Sequence, residues 1–189
     1  MISVIEEFLG GSEGRPPDPS VSEGLQTILF TDMIDSTATT QRLGDASAQD
    51  LVRAHNTVVR DSLRVFGGLE IKHTGDGIMA TFPSASRALS CALAIQFGVA
   101  LHNATNATDL QVRVGLNAGE PMVEEKDLFG TSVQMAARVC GEAQRGQVLV
   151  SNVVRELAAG KGFDFADMGE SLLKGFDAPV HLYAASRPA

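Results

Sequence analysis

Hydrophobic residues recur along this chain with two different periods, and each period predicts one type of element. Apolar runs rich in strand-forming residues, or strict alternation of apolar and polar residues, occupy positions 27–30, 69–74, 78–82, 110–116, 148–150, 163–168 and 180–184. Apolar residues at helical spacing occupy positions 36–66, 84–102, 132–141 and 152–159. This order of strands, helices and a hairpin predicts an α+β fold, in which helices cover a mostly antiparallel sheet.

The residues before the first strand divide into two parts. Ile2, Ile5 and Phe8 lie at helical spacing, so residues 1–9 are predicted to form a short amphipathic helix. Residues 10–25 are dense in glycine and proline and are predicted to form a linker. Residues 26–187 are then predicted to form one domain, because a chain of 189 residues with 44% hydrophobic residues can bury one full core.

Two details of the domain pattern bear on its packing. His55 lies beside the apolar stripe of the first long helix, and a lone histidine in that position is predicted to be a packed core residue rather than a ligand. The sequence Asn-Ala-Gly-Glu-Pro at 117–121 predicts a turn that leads into residues 122–125. The apolar Met122 and Val123 in that segment fit either a projecting arm or the core.

Composition narrows the classes of function. The formal net charge of -8 and the scarcity of lysine argue against a nucleic-acid-binding surface. Cys91 and Cys140 lie in apolar helical patterns, so they are predicted to be buried thiols in a reducing, cytoplasmic protein. The longest apolar stretch, 88–101, is interrupted by polar residues and is shorter than the roughly 20 residues of a membrane span, so no membrane association is expected.

Two carboxylates stand where strands end. Asp32 follows the first apolar run, and Asp76 lies between Gly75 and Gly77 in a turn that is typical of a hairpin tip. Magnesium prefers oxygen ligands and keeps positions open for phosphate oxygens, so an aspartate pair beside a helix N-terminus suits a nucleoside triphosphate. The alternative is that Asp32 caps a helix and Asp76 fills a turn.

Four segments together carry a family resemblance: FTDMIDST at 30–37, EIKHTGDG at 70–77, DLFGTSVQMAAR at 127–138 and LLKGFDAPVHLY at 172–183. In this order they resemble the catalytic domain of the class III nucleotide cyclases, the adenylate and guanylate cyclase family. The resemblance extends from about residue 26 to residue 183. It implies a ferredoxin-like core and a homodimer in which two head-to-tail protomers share each active site.

The resemblance also implies roles for individual residues. Asp32 and Asp76 correspond to the aspartates that hold two Mg²⁺ or Mn²⁺ ions. Lys72 and Asp127 fall at the two base-reading positions, where guanylate cyclases have Glu and Cys, so the expected substrate is ATP. The residues expected to bind the substrate around the first strand's end are Phe30, Met33, Ile34, Ser36 and Thr37, with main-chain amides of 33–37 facing the phosphates.

Two further positions lie on one helix face. Arg138 corresponds to the arginine that stabilises charge on the transferring phosphoryl group, and Gln134 stands where the family usually has an asparagine that orients the ribose. The longer amide of Gln134 leaves two alternatives to an adenylate cyclase. One is a catalytically weak or inactive nucleotide-binding dimerisation module, and the other is a cyclase that prefers GTP or a pyrimidine nucleotide.

Overall fold

The structure is a computed structural model that describes residues 24–34, 41, 44–125 and 127–188. Its elements, in chain order, are β1 (Gln26–Met33), α1 (Asp45–Phe66), β2 (Leu69–His73), β3 (Ile78–Phe82), α2 (Ala85–Thr105), β4 (Val112–Gly119), β5 (Met122–Glu124), β6 (Asp127–Phe129), α3 (Thr131–Glu142), β7 (Val148–Ser151), α4 (Asn152–Leu157), β8 (Asp164–Ser171) and β9 (Val180–Ser186). The predicted helix at 1–9 and almost all of the predicted linker lie outside the described residues.

Seven strands form one sheet in the order β2-β3-β1-β4-β7-β9-β8. All neighbouring pairs are antiparallel except β4 and β7, which are parallel. The short strands β5 and β6 form a separate hairpin. The predicted α+β fold with a mostly antiparallel sheet and flanking helices is therefore confirmed.

Side-chain alternation in β1 separates two packed layers. Leu29 and Met33 belong to the large core that α1 and α2 complete, whereas Ile28 packs in a smaller cluster with Ala136 of α3. The helix α3 lies very close to β4, because a Cβ atom at Gly115 would stand only 2.1 Å from the main-chain nitrogen of Cys140. The sheet is consequently covered by α1 and α2 on one face and by α3 on the other.

The helix α2 begins where the sequence indicated. Ser84 precedes it in an extended conformation, and its hydroxyl accepts a hydrogen bond of 3.4 Å from the main-chain N–H of Arg87. Among the described helices, α2 alone has the length and mean hydropathy, 1.2, that a membrane span also has, and half of the qualifying stretch is buried inside the fold. Gly98 lets this helix approach Val58 of α1 closely.

Some predictions need correction and others hold. The predicted turn at 117–121 is wrong over its first half, because β4 continues to Gly119 through its pairing with β1. The strand β6 at Asp127–Phe129 was not predicted. Cys91 and Cys140 are buried free thiols as predicted, and burial raises the pKa of both, that of Cys140 to about 12.

Candidate active site

Asp32 lies near the end of β1 and is held by an arginine from the neighbouring strand. The antiparallel register places Arg113 of β4 opposite Asp32. Arg113 Nε donates to Asp32 Oδ2 at 2.8 Å, its Nη2 donates to the same oxygen, and its Nη1 donates to the main-chain oxygen of Gly141 at 2.7 Å. The side chains of Asp32 and Arg113 are 29% and 28% exposed, so the carboxylate is fixed in orientation and still reachable from solvent.

Asp76 lies at the tip of the β2–β3 hairpin, against the end of β1. The tip is closed by a hydrogen bond of 2.9 Å from Thr74 N to Gly77 O, and Met33 N donates to Asp76 O at 3.2 Å. Gly77 must be glycine here, because a Cβ atom would stand 2.1 Å from the main-chain oxygen of Thr31. The two segments that carry the aspartates are thus joined through their main chains.

The donor set at this place fits a divalent ion that shares its coordination with a phosphate. Among the described residues no group of three or more His, Cys, Asp or Glu side chains could enclose a metal ion. Mg²⁺ commonly binds one or two carboxylates and completes its octahedron with water and substrate phosphates. Asp32 and Asp76, on adjoining segments, supply that number of carboxylates.

A second pair of charged residues joins β2 to β6. Lys72 Nζ donates to Asp127 Oδ2 at 2.6 Å, and Asp127 Oδ1 accepts a hydrogen bond of 2.7 Å from Leu128 N. The hydrogen bond from Lys72, opposed by a smaller desolvation effect, lowers the pKa of Asp127, so its carboxylate stays ionised at neutral pH. Lys72 Nζ also lies 5.3 Å from the centre of the Phe129 ring, within the range of a cation–π interaction.

These residues line an open cleft of about 520 Å³, whose lining residues are Ile71, Lys72, Glu124, Glu125, Asp127 and Phe129. Phe129 is 40% exposed, so it belongs to the wall of this cleft and not to the core. Met122 and Val123 are also exposed, at 66% and 41%, and the alternative that they are core residues is wrong. The β5–β6 hairpin therefore presents an apolar surface beside a polar cleft.

Gln134 and Arg138 lie one helical turn apart on α3, and both are exposed. The opposite face of α3 carries Val133 and Ala136 into the core, which fixes the helix against the sheet. Neither exposed side chain makes a hydrogen bond or an ion pair with any residue that the structure describes. A single chain thus holds the two carboxylates and the Lys72–Asp127 pair, but brings neither Gln134 nor Arg138 into contact with them.

The remaining predicted substrate contacts are placed differently from one another. Phe30 is half-buried against the small core cluster, and Met33 points its side chain into the large core. The main-chain N–H groups of Met33 and Ile34 already donate to Asp76 O and, at 2.9 Å, to Gln111 O. The predicted roles of Ser36 and Thr37, and of the main-chain amides of 35–37, stay predictions because these residues lie outside the described part of the chain.

Arg113 is the residue beside the site that sequence reasoning did not select. Its sequence signal is a polar position in the apolar alternation of β4, which any solvated strand arginine shares. Only the pairing of Asp32 with Arg113, which lie 81 positions apart, shows what it contacts.

Comparison with known proteins places the chain in a family. The profile described as "Adenylate and Guanylate cyclase catalytic domain" matches residues 21–185. A relative from Rhizobium meliloti is 33% identical over an alignment of 170 positions, which covers 88% of this chain and 29% of the relative. An adenylate cyclase of Podospora anserina is 28% identical over a gapped alignment of 238 positions, which covers 95% of this chain and 11% of that protein. The chain belongs to the adenylate and guanylate cyclase family, and it spans less than a third of the length of these two curated relatives.

Solved structures agree on the fold. The adenylyl cyclase CyaB from P. aeruginosa superposes with a TM-score of 0.77 at 22% identity, covering 90% of this chain and 98% of that one. The guanylyl cyclase Cya2 superposes with a TM-score of 0.78 at 22% identity, covering 89% and 94%. Since cyclases of both kinds share the architecture equally well, the fold alone does not select the base.

Proposed function

We propose that this chain is a cytoplasmic adenylate cyclase, which converts ATP to 3′,5′-cyclic AMP and pyrophosphate as a homodimer. The observation that carries the proposal is the Lys72–Asp127 pair, a donor and an acceptor 2.6 Å apart in an open cleft beside an exposed aromatic ring. The cytoplasm is the compartment that the two free cysteines suit.

The chemistry of the pair matches adenine. The ammonium of Lys72 can donate to ring N1, and the carboxylate of Asp127 can accept from the exocyclic 6-amino group. In the same pose guanine presents a donor at N1 and an acceptor at O6, so both contacts would set like against like. Phe129 offers a face on which the purine can stack. The pair therefore favours ATP over GTP.

Asp32 and Asp76 would hold the divalent ions together with the triphosphate. Magnesium or manganese, when bound there, would neutralise phosphate charge and make the ribose 3′-hydroxyl more acidic. The proposal is supported by the hydrogen bond from Met33 N to Asp76 O, which joins the segments that carry the two carboxylates. Arg113 holds Asp32 Oδ2 toward β4, and its charge would add a cation beside the phosphates of a bound nucleotide.

The reaction joins the 3′-oxygen of the ribose to the α-phosphorus. The bond from that phosphorus to the bridging oxygen breaks, pyrophosphate leaves, and the 3′-hydroxyl proton passes to solvent. Arg138 would stabilise the charge that develops on the phosphoryl group, because its guanidinium is permanently charged and rigid. Gln134, one turn earlier, would hold the ribose in line for the attack.

A homodimer would bring these groups together. Gln134 and Arg138 point to solvent and contact neither charged pair within the described residues of one chain. A second copy placed head to tail would present its α3 to the metal-binding aspartates of the first. The exposed Met122, Val123 and Phe129 of the β5–β6 hairpin offer apolar surface for such a contact.

The second candidate is a nucleotide-binding dimerisation module with little or no turnover. It is favoured by Gln134, whose side chain is one methylene longer than the asparagine of the family resemblance and has no partner among the described residues to hold it. A misplaced ribose would slow the chemical step while leaving nucleotide binding intact.

Product analysis separates the candidates. The purified chain is incubated with Mn²⁺ and each of the four nucleoside triphosphates, and cyclic products are identified by mass spectrometry. The adenylate cyclase proposal predicts cyclic AMP as the main product. Cyclic GMP or a cyclic pyrimidine nucleotide as the main product would contradict the base assignment. Binding of ATP with Mn²⁺ but without any cyclic product would favour the second candidate.

A further inference from the structure

A network of hydrogen-bonded polar groups, centred on the buried His55, lies beside the two predicted metal-binding aspartates. His55 of α1 is fully buried, and both of its ring nitrogens have partners. Nε2 lies 3.0 Å from the hydroxyl oxygen of Thr31, and Nδ1 lies 3.0 Å from Oδ1 of Asn56. A polar ring is tolerated in a core only with such partners, so the prediction of a packed core histidine is confirmed but incomplete.

The hydrogen-bond network extends beyond His55 on both sides. Ile78 N donates to the Thr31 hydroxyl oxygen at 3.0 Å, and His73 Nε2 lies 3.1 Å from the same Asn56 oxygen. The Asn56 amide oxygen only accepts, so His55 Nδ1 carries the proton and Nε2 accepts from the Thr31 hydroxyl, whose other acceptor, the main-chain oxygen of Ile78, is more distant at 3.5 Å. Burial lowers the pKa of His55, which favours this neutral form. Each hydrogen bond of the network then pairs one donor with one acceptor.

The hydrogen-bond network includes residues of the segments that carry Asp32 and Asp76. Thr31 immediately precedes Asp32 in β1, His73 precedes Asp76 by three positions in β2, and Ile78 follows it by two at the start of β3. The helix α1 is therefore bonded to β1 through His55 and Thr31 and to β2 through Asn56 and His73, and Thr31 in turn bonds to β3 through Ile78 N.

The contact acts from the side of the sheet opposite to the chemistry. Successive strand residues point to opposite faces, so Thr31 meets α1, while Asp32 turns toward Arg113 and the α3 side. The main-chain oxygen of Thr31 also receives the close approach of Gly77. The contact between His55 and Thr31 therefore lies on the opposite face of β1 from the Asp32 carboxylate and is connected to it through the main chain.

We propose that His55 and Thr31 are positioning residues that set the relative placement of Asp32 and Asp76 for divalent-ion binding. The inference deepens the proposed function, on which it rests for the identity of the ion site. Partners that orient metal ligands typically change metal affinity by about 10- to 100-fold when they are lost. The same loss should reach turnover, because small misplacements of reacting groups slow chemistry.

The test compares two substitutions of similar size at position 31 in the full chain. Thr31→Val removes the hydroxyl and leaves His55 Nε2 and Ile78 N without their partner, whereas Thr31→Ser keeps the hydroxyl. The readout is Mn²⁺ binding, followed by electron paramagnetic resonance in the presence of 3′-deoxy-ATP, which cannot cyclise. We expect Mn²⁺ affinity to fall by about 10- to 100-fold in Thr31→Val and to change by less than about threefold in Thr31→Ser.

Ser62→Ala is the matched control for lost stability. Ser62 is a buried residue of the same helix, and its hydroxyl donates to Val58 O at 2.8 Å without contacting either aspartate segment. The thermal midpoint of metal-free protein should fall in Ser62→Ala, while its Mn²⁺ affinity should match the wild type. Asn56→Ala is a second variant at a half-buried position, and it decides the question if Thr31→Val does not fold. We expect it to weaken Mn²⁺ binding several-fold.

The outcomes separate this inference from the proposed function. Equal Mn²⁺ affinity in Thr31→Val and wild type, or in Asn56→Ala and wild type if the first variant does not fold, overturns the inference. So does an equal loss of affinity in Ser62→Ala, since that would be a general effect of stability. Wild-type protein that binds Mn²⁺ through Asp32 and Asp76 yet makes no cyclic nucleotide overturns the proposed activity alone.

Discussion

The two charged groups of the candidate site are held in different ways. Asp32 and Asp76 lie on segments joined by main-chain hydrogen bonds, and Asp32 is on β1, which lies between the paired strands β3 and β4. Lys72 lies on β2, one of the two edge strands of the large sheet, and meets Asp127 of the separate β5–β6 hairpin through a side-chain contact. The fold therefore fixes the predicted metal-binding pair, Asp32 and Asp76, which is called the metal half below. A side-chain contact forms the predicted base-reading pair, Lys72 and Asp127, which is called the base half.

This difference has an energetic side. The side chains of Lys72 and Asp127 are 39% and 33% exposed, and ion pairs with that exposure contribute at most about 1 kcal/mol. Breaking the Lys72–Asp127 ion pair therefore costs little when both side chains form hydrogen bonds to a nucleotide base instead. The aspartate pair has no such freedom, since its spacing follows from strand pairing and from the glycine at position 77. Base preference should be easier to change than metal binding.

The largest expected effect is loss of the metal half. Asp32→Asn and Asp76→Asn keep the size of each side chain and remove its charge, so the fold should persist while ion binding fails. We expect kcat/KM for ATP with Mn²⁺ to fall by on the order of 1000-fold, which is about 4 kcal/mol of transition-state stabilisation. The exposed Asp164 provides the control, because Asp164→Asn makes the same charge change on β8, at the opposite edge of the sheet from the β2–β3 hairpin. Wild-type turnover in either site variant would remove that aspartate from metal binding.

The base half should respond to an exchange of hydrogen-bond polarity. Lys72→Glu combined with Asp127→Cys reverses the donor and acceptor that face the base, and each charged hydrogen bond is worth about 1.5 to 3 kcal/mol. The ratio of kcat/KM for ATP to that for GTP should fall by about 100-fold or more. The kcat/KM values for ATP and for GTP are measured from initial rates at saturating Mn²⁺.

Glu124→Gln is the control for this exchange, since Glu124 lines the same cleft without joining the pair. It should leave the ratio within about twofold of the wild type. If the double variant retains the wild-type ratio, Lys72 and Asp127 do not recognise the base.

A smaller effect is expected at Gln134. If the longer amide holds the ribose less well than asparagine would, Gln134→Asn should raise kcat by roughly tenfold and change ATP affinity little, because the loss lies in the transition state. Gln134→Ala, which has no amide, should be slower than wild type. Single-turnover kinetics and equilibrium binding measure the two quantities separately. A kcat that stays level or falls in Gln134→Asn would indicate that glutamine is adapted to this site.

Sequence reasoning reached the metal half more completely than the contacts that support it. Local patterns predicted β1, the glycine-bracketed hairpin and the position of each aspartate, because turn chemistry and apolar periodicity are local. The partner of Asp32 could not be predicted, since a shift of one residue in strand register would place Arg113 on the other face. The hydrogen bonds of His55 likewise depend on packing of α1 against residues distant in sequence.

The base half was predicted by resemblance and not by pattern. Nothing in the apolar periodicity places Asp127 beside Lys72, which lies 55 positions earlier, and the three residues of β6 are too few to give a strand signal. The same limit explains the predicted turn at 117–121, because pairing with β1 extends β4 over residues that are poor strand formers.

Under the proposed function, each active site takes its aspartates from one chain and Arg138 from another. Complementation between Asp32→Asn and Arg138→Ala tests it most directly. Each variant alone forms dimers whose two sites are both defective. In a mixed dimer one site carries both defects and the other carries neither.

Equal amounts of the two variants are mixed, subunit exchange is demonstrated by energy transfer between labelled chains, and cyclic AMP formation is measured. Random exchange makes about half of the dimers mixed, and half of the sites in these are intact, so activity should reach about a quarter of wild type at equal total protein. Activity that stays at the level of the separate variants, although exchange has occurred, would contradict the claim and show that each chain builds its own site.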